Sequence, residues 1–451
     1  MAERKYFGTD GVRGRANQYP ITSEFAVALG RAAGTLFSGR SRRGSIVIGK
    51  DTRLSGYMLE TALASGIVSS GCDVVLVGPL PTPGIAFITK GLRCDAGIVI
   101  SASHNPFTDN GIKFFDRYGY KLPDAVEAGI ENAVDANAQA TLVDSTKIGY
   151  ARRVDDAVGR YIVSLKETFP DELTLEGLKI VVDCAHGACY KVSPAVLSEL
   201  GATIVPLGVK PDGMNINEKV GALHPEIMAA AVRENRADLG IALDGDGDRL
   251  VMVDAAGVVV DGDALLAICA LALVESGDLA QNTMVATSMS NMGLEFALRR
   301  VGAKLLRSDV GDRYVMELMR KHDLNFGGES SGHIIYRDHG TTGDGTLAAL
   351  QVLAHMMRTG KSLAELARVY EAVPQKQASL RVRTKPRLDS LAGYSEALAA
   401  AESHLGNTGR VLVRYSGTEP KVRIMVEGTD ESRVDASMAQ LREFLSSAIG
   451  E

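Results

Sequence analysis

The chain has 451 residues, 45% hydrophobic and 23% charged, a balance that describes a soluble globular protein with core enough for three or four domains of ordinary size. Its net charge of −6 argues against general nucleic-acid binding, yet leaves anionic small molecules open, because local Arg, Lys, metal and backbone donors hold those. Cysteines scattered at 72, 94, 184, 189 and 269 fit reduced thiols in the cytoplasm better than a disulfide framework. No membrane partner is expected. Met1-Ala-Glu-Arg4-Lys5 leads into glycine-rich sequence without an apolar signal segment, and the longest uncharged run, Ala264 to Val274, is too short to span a bilayer and reads as a buried helix.

In chain order, Ser45-Ile-Val-Ile-Gly49 predicts a strand, Met58 to Ser70 a helix and Gly71 to Gly78 another strand. Gly97-Ile-Val-Ile100 then reads as a buried strand emptying into Ser101-Ala-Ser103-His104-Asn105-Pro106. Pro106 restricts Asn105, and Asn110-Gly111 reads as a tight reversal before a further strand, Ile112 to Phe115. Ser103 is therefore expected on a constrained loop at the mouth of a cleft. Taken alone, a polar loop with a hydrogen-bonded serine explains the stretch as well.

The pattern recurs twice. Leu178 to Asp183, a helix near Pro194 to Leu200, and Gly201 to Gly208 form a second copy; Met284 to Thr287, a helix near Gly293 to Arg300, and Gly302 to Leu306 form a third. Each copy reaches a strand that begins at an Asp (95, 238 and 323) and ends in a loop, which puts Ser101, Asp244 and Glu329 at one equivalent position and Ser103, Asp246 and Ser331 at the next but one. Three similar mixed α/β domains would turn those loops toward a shared cleft.

The second loop, Asp244-Gly-Asp246-Gly-Asp248-Arg249, alternates carboxylates with glycines, so three oxygens can converge on one hard cation. The spacing suggests Mg²⁺, and it lacks the longer loop and terminal Glu of a calcium EF-hand. A solvated acidic turn is the rival, disfavoured by apolar runs on both sides. The third loop, Gly327 to His333, offers Glu329, Ser330, Ser331 and His333 to sugar hydroxyls. Thr342-Gly-Asp344-Gly-Thr346 reads as a helix cap, and Cys184-Ala-His186-Gly-Ala-Cys189 as a tight loop with core thiols rather than a zinc site.

Beyond Glu371 to Gln375, a plausible hinge, the chain changes character: a strand from Ala378 to Thr384, a helix from about Leu388 to Leu405, then a hairpin across Arg410 to Glu427. Arg414, Ser416, Thr418 and loop amides, with Arg423 on the return strand, form a plausible phosphate clamp.

In this order, Phe7-Gly-Thr-Asp-Gly-Val-Arg13-Gly14, Asp51-Thr-Arg53-Leu-Ser55-Gly56, Ser101 to Pro106, the triple-Asp loop, Gly328-Glu-Ser-Ser-Gly-His333 and Arg414-Tyr-Ser-Gly-Thr-Glu-Pro420 resemble the α-D-phosphohexomutase superfamily from about residue 5 to the C-terminus. The N-terminal motif and Asp109 to Phe115 resemble its bacterial amino-sugar branch, from which Ser330 departs where relatives commonly carry Gln. The resemblance implies an α/β fold of three similar domains around a cleft, at 1–153, 154–255 and 256–372, with a smaller α+β lid domain at 373–451. It implies an isomerase interconverting glucosamine 6-phosphate and glucosamine 1-phosphate through a phosphoserine and a 1,6-bisphosphate, feeding the amino-sugar route to cell-wall precursors.

In that reading Ser103 carries the phosphoryl group and, with Asp244, Asp246 and Asp248, holds one Mg²⁺. Arg13, Lys113 and Arg249 stabilise charge, with Lys113 and then His333 as candidates for proton transfer. His104, Glu329 and Ser331 bind the sugar, and Arg414, Ser416, Gly417, Thr418 and Arg423 hold the phosphate that is not reacting. A hexose bisphosphate would serve as activator, an activating kinase or autophosphorylation would load the serine, and a homodimer is compatible. The rivals are a broad phosphomannomutase or phosphoglucomutase, a phosphatase, and a non-catalytic phosphosugar sensor, which would not need a nucleophile.

Overall fold

The computed structural model describes residues 5–8, 10–38, 43–136, 142–416 and 419–451, and four sheets follow one another along them. The first contains β1 (Val12–Arg15), β2 (Ser45–Lys50), β3 (Asp73–Pro79), β4 (Ala96–Ile100), β5 (Asp109–Asp116) and β6 (Ala151–Arg153), in the spatial order β1-β5-β4-β2-β3-β6. The second contains β7 (Lys179–Asp183), β8 (Thr203–Leu207), β9 (Leu239–Leu243), β10 (Leu250–Asp254) and β11 (Val259–Val260), in the order β11-β10-β9-β7-β8. The third orders β12 (Thr283–Thr287), β13 (Lys304–Ser308), β14 (Phe326–Gly328) and β15 (Ile334–Tyr336) as β13-β12-β14-β15.

These are one topology used three times. In each, a parallel trio (β3-β2-β4, β8-β7-β9, β13-β12-β14) is extended by an antiparallel strand returning from the loop (β5, β10, β15). Central strands such as Ile46 to Lys50, β4, β9 and β12 are buried throughout, the composition a parallel sheet covered on both faces requires. Ser101, Asp244 and Glu329 each stand one residue past the end of the equivalent strand, so the register inferred from the repeat holds.

A single apolar cluster runs through all three sheets, from Val47 and Val75 through Val182, Leu239, Ile241 and Leu243 to Met284, Phe326 and Leu350. It takes in the helix Gly262–Ser276, the buried helix expected around Ala264 to Val274. The fourth sheet is separate: β16 (Gln375–Arg381), β17 (Gly409–Tyr415) and β18 (Lys421–Gly428) run antiparallel in the order β16-β18-β17, over a core of their own that includes Ala401, Val422, Ile424 and Leu441.

Some expectations shift. Asn110-Gly111 is not a reversal: both residues lie inside β5, paired with Gly14 and Arg13 of β1. The glycine is needed for closeness, since a β-carbon there would lie 2.6 Å from the Ser101 carbonyl oxygen, and Asn110 is spent on a hydrogen bond to Ser55 Oγ at 2.9 Å. The strand expected over 378–384 runs over 375–381, because its pairing partner β18 fixes the register. The helix expected from Leu388 begins at Tyr394, after a 3₁₀ turn at Leu388–Ser390. The second sheet extends past residue 255 through β11. Among the described residues, no helix is long and apolar enough to cross a membrane.

Candidate active site

Ser103 sits three residues beyond a fully buried strand, with its side chain turned into the protein; the residue is 2% exposed. Its Oγ donates to Asp244 Oδ2 at 2.5 Å and lies 3.4 Å from His104 Nδ1. Its N–H donates to Ser101 Oγ at 2.9 Å, and Ser101 in turn donates to Asp51 at 2.6 Å, which is ion-paired with Arg53. Arg249 Nη1 lies 3.0 Å from His104 Nδ1. Burial, and then the Arg249 charge, push the His104 imidazole down to about 4, so it is neutral and can accept that bond.

Asp244, Asp246 and Asp248 are buried, with oxygens that all lie within 4.8 Å of one another, the only such cluster of three or more ligand-type side chains among the described residues. Asp246 Oδ2 is used, accepting from Thr82 Oγ1 at 2.7 Å and Lys113 Nζ at 3.0 Å. Asp246 Oδ1 and Asp248 Oδ1 are buried without a hydrogen-bond partner. Two orphaned anionic oxygens beside a third carboxylate fit a small hard dication, whose charge would offset both the repulsion and the burial. The loop is gripped from three sides: Ala188 N–H donates to Gly245 O at 2.8 Å, Thr82 N–H to Asp246 O at 2.9 Å and Gly345 N–H to Gly247 O at 3.0 Å. Gly247, at φ +74°, would overlap Cys189 Sγ if it carried a β-carbon. The glycine spacing read from the sequence is thus a packing requirement.

Around these carboxylates closes a ring of alternating charge. Asp246 meets Lys113 at 3.0 Å, Lys113 meets Asp10 at 3.0 Å, Asp10 meets Lys121 at 2.5 Å, and Lys121 meets Asp312 at 2.7 Å. Asp312 lies 3.4 Å from His333 Nε2, and His333 Nδ1 lies 3.6 Å from Asp248. Arg13 joins through an ion pair with Asp10. Burial works against the cationic form of Lys113, but the Asp10 and Asp246 charges outweigh it and hold its pKa above the ordinary lysine range. Burial likewise lowers His333, while the Asp248 hydrogen bond and the Asp312 charge lift it to about 9. Gly343 N–H, 2.9 Å from Nε2, pulls the other way, since it needs a lone pair there.

The residues of the third loop neighbour this centre. Glu329 accepts from Gly311 N–H at 3.2 Å and is raised above the usual carboxyl range by burial; Ser331 is exposed. Gly332 N–H closes a turn on Glu329, and its carbonyl accepts from Leu250 N–H at 3.0 Å, seating the loop on the strand that leaves the aspartates. The C-terminal residues form a second group. Arg414 and Arg423 are Cα partners across the β17–β18 hairpin, lining a cleft of about 320 Å³ with Ser379, Lys421 and Glu419. Buried Ser416 accepts from Glu419 N–H at 3.3 Å. Among the described residues no hydrogen bond or ion pair joins this hairpin to Ser103 or the aspartates. Gly417 and Thr418 lie outside the described residues.

Asp10, Asp51, Arg53, Lys121, Asn217 and Asp312 were not singled out as site residues from sequence. Asp10, Asp51 and Arg53 stand in quoted motifs, which was a usable signal; Lys121, Asn217 and Asp312 had none.

Family models for phosphoglucomutase/phosphomannomutase match in series: alpha/beta/alpha domain I over residues 4–141, domain II over 159–257, domain III over 261–373 and the C-terminal domain over 359–444. A phosphoglucosamine mutase of Myxococcus xanthus (strain DK1622) is 57% identical over 450 residues, spanning 100% of this chain and 98% of the relative. One of Anaeromyxobacter sp. (strain Fw109-5) is 56% identical over 452 residues, spanning 99% and 96%. Among solved structures, a phosphoglucomutase/phosphomannomutase family protein of Burkholderia thailandensis aligns with a TM-score of 0.82 at 25% identity, covering 98% of this chain and 97% of that one. Aspergillus fumigatus N-acetylphosphoglucosamine mutase in complex with GlcNAc-6P and magnesium shares the fold, with a TM-score of 0.66 at 16% identity and coverage of 99% and 96%.

Proposed function

The chain belongs to the phosphoglucosamine mutases of the phosphoglucomutase/phosphomannomutase family, and from that premise we propose how its own residues interconvert glucosamine 6-phosphate and glucosamine 1-phosphate. The enzyme is an Mg²⁺-dependent isomerase of amino-sugar metabolism that works through a phosphoserine and a 1,6-bisphosphate, making the precursor of the amino-sugar nucleotides used in cell walls. The observation that carries the residue assignment is Ser103 Oγ at 2.5 Å from Asp244, on the edge of the three-carboxylate cluster.

Ser103 is the phosphoryl carrier. Asp244, Asp246 and Asp248, with a Ser103-borne oxygen, would hold the Mg²⁺, which would supply positive charge against the transferring phosphoryl group. Arg13 and Lys113, aimed by Asp10 and Asp246, and Arg249, beside Asp248 and His104, add fixed cationic groups beside it. Lys113, held as an ammonium, gives a proton to Ser103 Oγ as the O–P bond breaks and takes one back from the sugar hydroxyl that attacks phosphorus, so the half-reaction leaves it unchanged. His333 is the alternative candidate for that proton transfer. His104, neutral, orients Arg249 and faces the sugar with Glu329 and Ser331. Arg414, Ser416, Gly417, Thr418 and Arg423 hold the non-reacting phosphate. The same residues then serve the reverse transfer after the bisphosphate turns.

We take the four units as 1–153, 154–255, 256–372 and 373–451, with β11 reaching back across the second boundary to the second sheet and the last unit acting as a lid about Val373 to Gln377. Five buried free thiols support a reducing, cytoplasmic setting.

The test is a coupled assay for glucosamine 1-phosphate with Mg²⁺ and catalytic glucosamine 1,6-bisphosphate, comparing wild type with Ser103→Ala. Glucosamine 6-phosphate should be preferred over glucose and mannose 6-phosphates, and the alanine variant should lose turnover by about 10³-fold or more and gain no phosphoryl mass. Retained turnover in Ser103→Ala would sink the assignment, and equal use of all three sugars would broaden the specificity.

A further inference from the structure

Ser103 holds a φ of +51°, in the left-handed region that a β-carbon disfavours, so surrounding groups must impose it. Two side chains meet its backbone. Arg53 Nη2 donates to the carbonyl oxygens of Ser103 and Asn105 at 3.1 and 2.5 Å, and Asn217 Nδ2 donates to the same two oxygens at 2.9 and 3.0 Å. A carbonyl oxygen has two lone pairs and each donor nitrogen two hydrogens, so four bonds saturate the pair of carbonyls.

The donors have different origins. Arg53 belongs to the sheet that carries Ser103, and Asp51 fixes it. Asn217 comes from the connection between β8 and the helix Pro225–Asn235, in the unit that carries the aspartates. It is buried, at a φ of +58° that asparagine tolerates, and its backbone N–H donates to Ala185 O at 2.9 Å. Gly245, between Asp244 and Asp246, packs against both partners: a β-carbon there would lie 2.6 Å from Ser103 O and 2.8 Å from Asn217 Nδ2. The amide therefore stands where the nucleophile loop of one unit meets the carboxylate loop of the next.

We propose that Asn217 is a positioning residue that registers the Ser103 loop against the Asp244–Asp248 loop, setting the line between nucleophile and carboxylates across a unit boundary. The proposal rests on Ser103 being the phosphoryl carrier. It uses both N–H groups of the amide and neither its bulk nor its backbone freedom.

Two variants separate those properties. Asn217→Asp keeps size and tolerance of positive φ while replacing both N–H groups by oxygen; Asn217→Gly keeps backbone freedom and removes the side chain. Phosphoserine occupancy is read by intact mass and turnover is expressed per phosphorylated enzyme, with KM for glucosamine 6-phosphate, the melting temperature and its shift with Mg²⁺ measured in parallel. Both variants should lose about 10- to 100-fold in kcat while KM stays within about twofold, the pattern of a misaligned transferring group. A kcat within about threefold of wild type in either variant would overturn the proposal. So would a loss that falls equally on KM, or loss of the fold in both. The Ser103→Ala control keeps the two readings apart: its retained activity would remove the premise, whereas an inactive Ser103→Ala beside a normal Asn217→Asp removes only the role of Asn217.

Discussion

At the scale of single residues, the three aspartates share an unequal burden. Burial, then the neighbouring Asp248 and Asp246 charges, raise the Asp244 pKa well above the carboxylate range, while His333 and nearby cations overcome burial to hold Asp248 below it. Without a bound cation, the charge on Asp244 therefore costs more than that on Asp248. Asp244→Asn removes that charge and keeps an oxygen to accept from Ser103. Its melting temperature in EDTA should equal or exceed that of wild type. Mg²⁺ at 100 times its dissociation constant stabilises a binding protein by about 2.7 kcal/mol, so wild type should show a clear rise in thermal-shift titration and the variant a much smaller one. Equal shifts in both proteins would remove Asp244 from the ligand set.

At the scale of elements, the segment Gly343-Asp344-Gly345 does three tasks at once. Asp344 caps the helix Gly345–Thr359 through the amides of Thr346 and Leu347, and its other oxygen accepts from Tyr161. Gly343 and Gly345 deliver N–H groups to His333 and to the carboxylate loop. Burial lifts the Asp344 pKa to about 6, despite the cap and Tyr161, against about 3.9 in an unfolded chain. The folded state thus binds the proton more tightly; the group favours folding most below pH 4, and that contribution fades as pH rises through 6. Asp344→Asn removes the titration. In urea unfolding, the difference between variant and wild type should move in the variant's favour by up to about 3 kcal/mol from pH 4 to pH 7. A difference independent of pH would mean the carboxyl titrates normally.

Elements also show what the sequence makes legible. The repeat can be read because each copy meets the same demand, a wholly apolar parallel strand followed by a polar loop, and local composition records that demand. Asn110-Gly111 misleads for the opposite reason: its glycine answers the approach of Ser101 across the sheet, which local turn chemistry does not express. The carboxylate loop declares itself because its three carboxylates are neighbours in sequence. Lys121 and Asn217 do not, since their partners lie 191 and 114 residues away at Asp312 and Ser103, and each looks locally like an ordinary surface residue.

At the scale of the whole molecule, one ring of charge ties three units together and the fourth stands outside it. The ring Asp246-Lys113-Asp10-Lys121-Asp312-His333-Asp248 draws on the segments around all three large sheets, and one apolar cluster runs beneath it through those sheets. The fourth unit has its own core. It leans on the third through Arg410, which donates to the carbonyls of Ser288 and Ser290 at 2.8 Å each, and through Asn291, which brackets the backbone of Val373. Its cleft sets Arg414 opposite Arg423, and burial, then the Arg423 charge, lower the Arg414 pKa. Like charges directly across a hairpin are unfavourable until an anion joins them.

A phosphate in that cleft would relieve the repulsion and, with its sugar in the main cleft, draw the lid inward about Val373 to Gln377; release would let the bisphosphate turn. Ser103→Ala makes this measurable, because it binds glucosamine 1,6-bisphosphate without accepting its phosphoryl group. Small-angle scattering of that variant should give a smaller radius of gyration with the bisphosphate than without it, near the value of about 22 Å for a compact chain of this length. Adding Arg414→Ala and Arg423→Ala should abolish the change, since the anion then has no purchase on the lid. Identical profiles with and without bisphosphate would mean that the C-terminal unit binds phosphate where it stands, and that the sugar must turn in a cleft of fixed width.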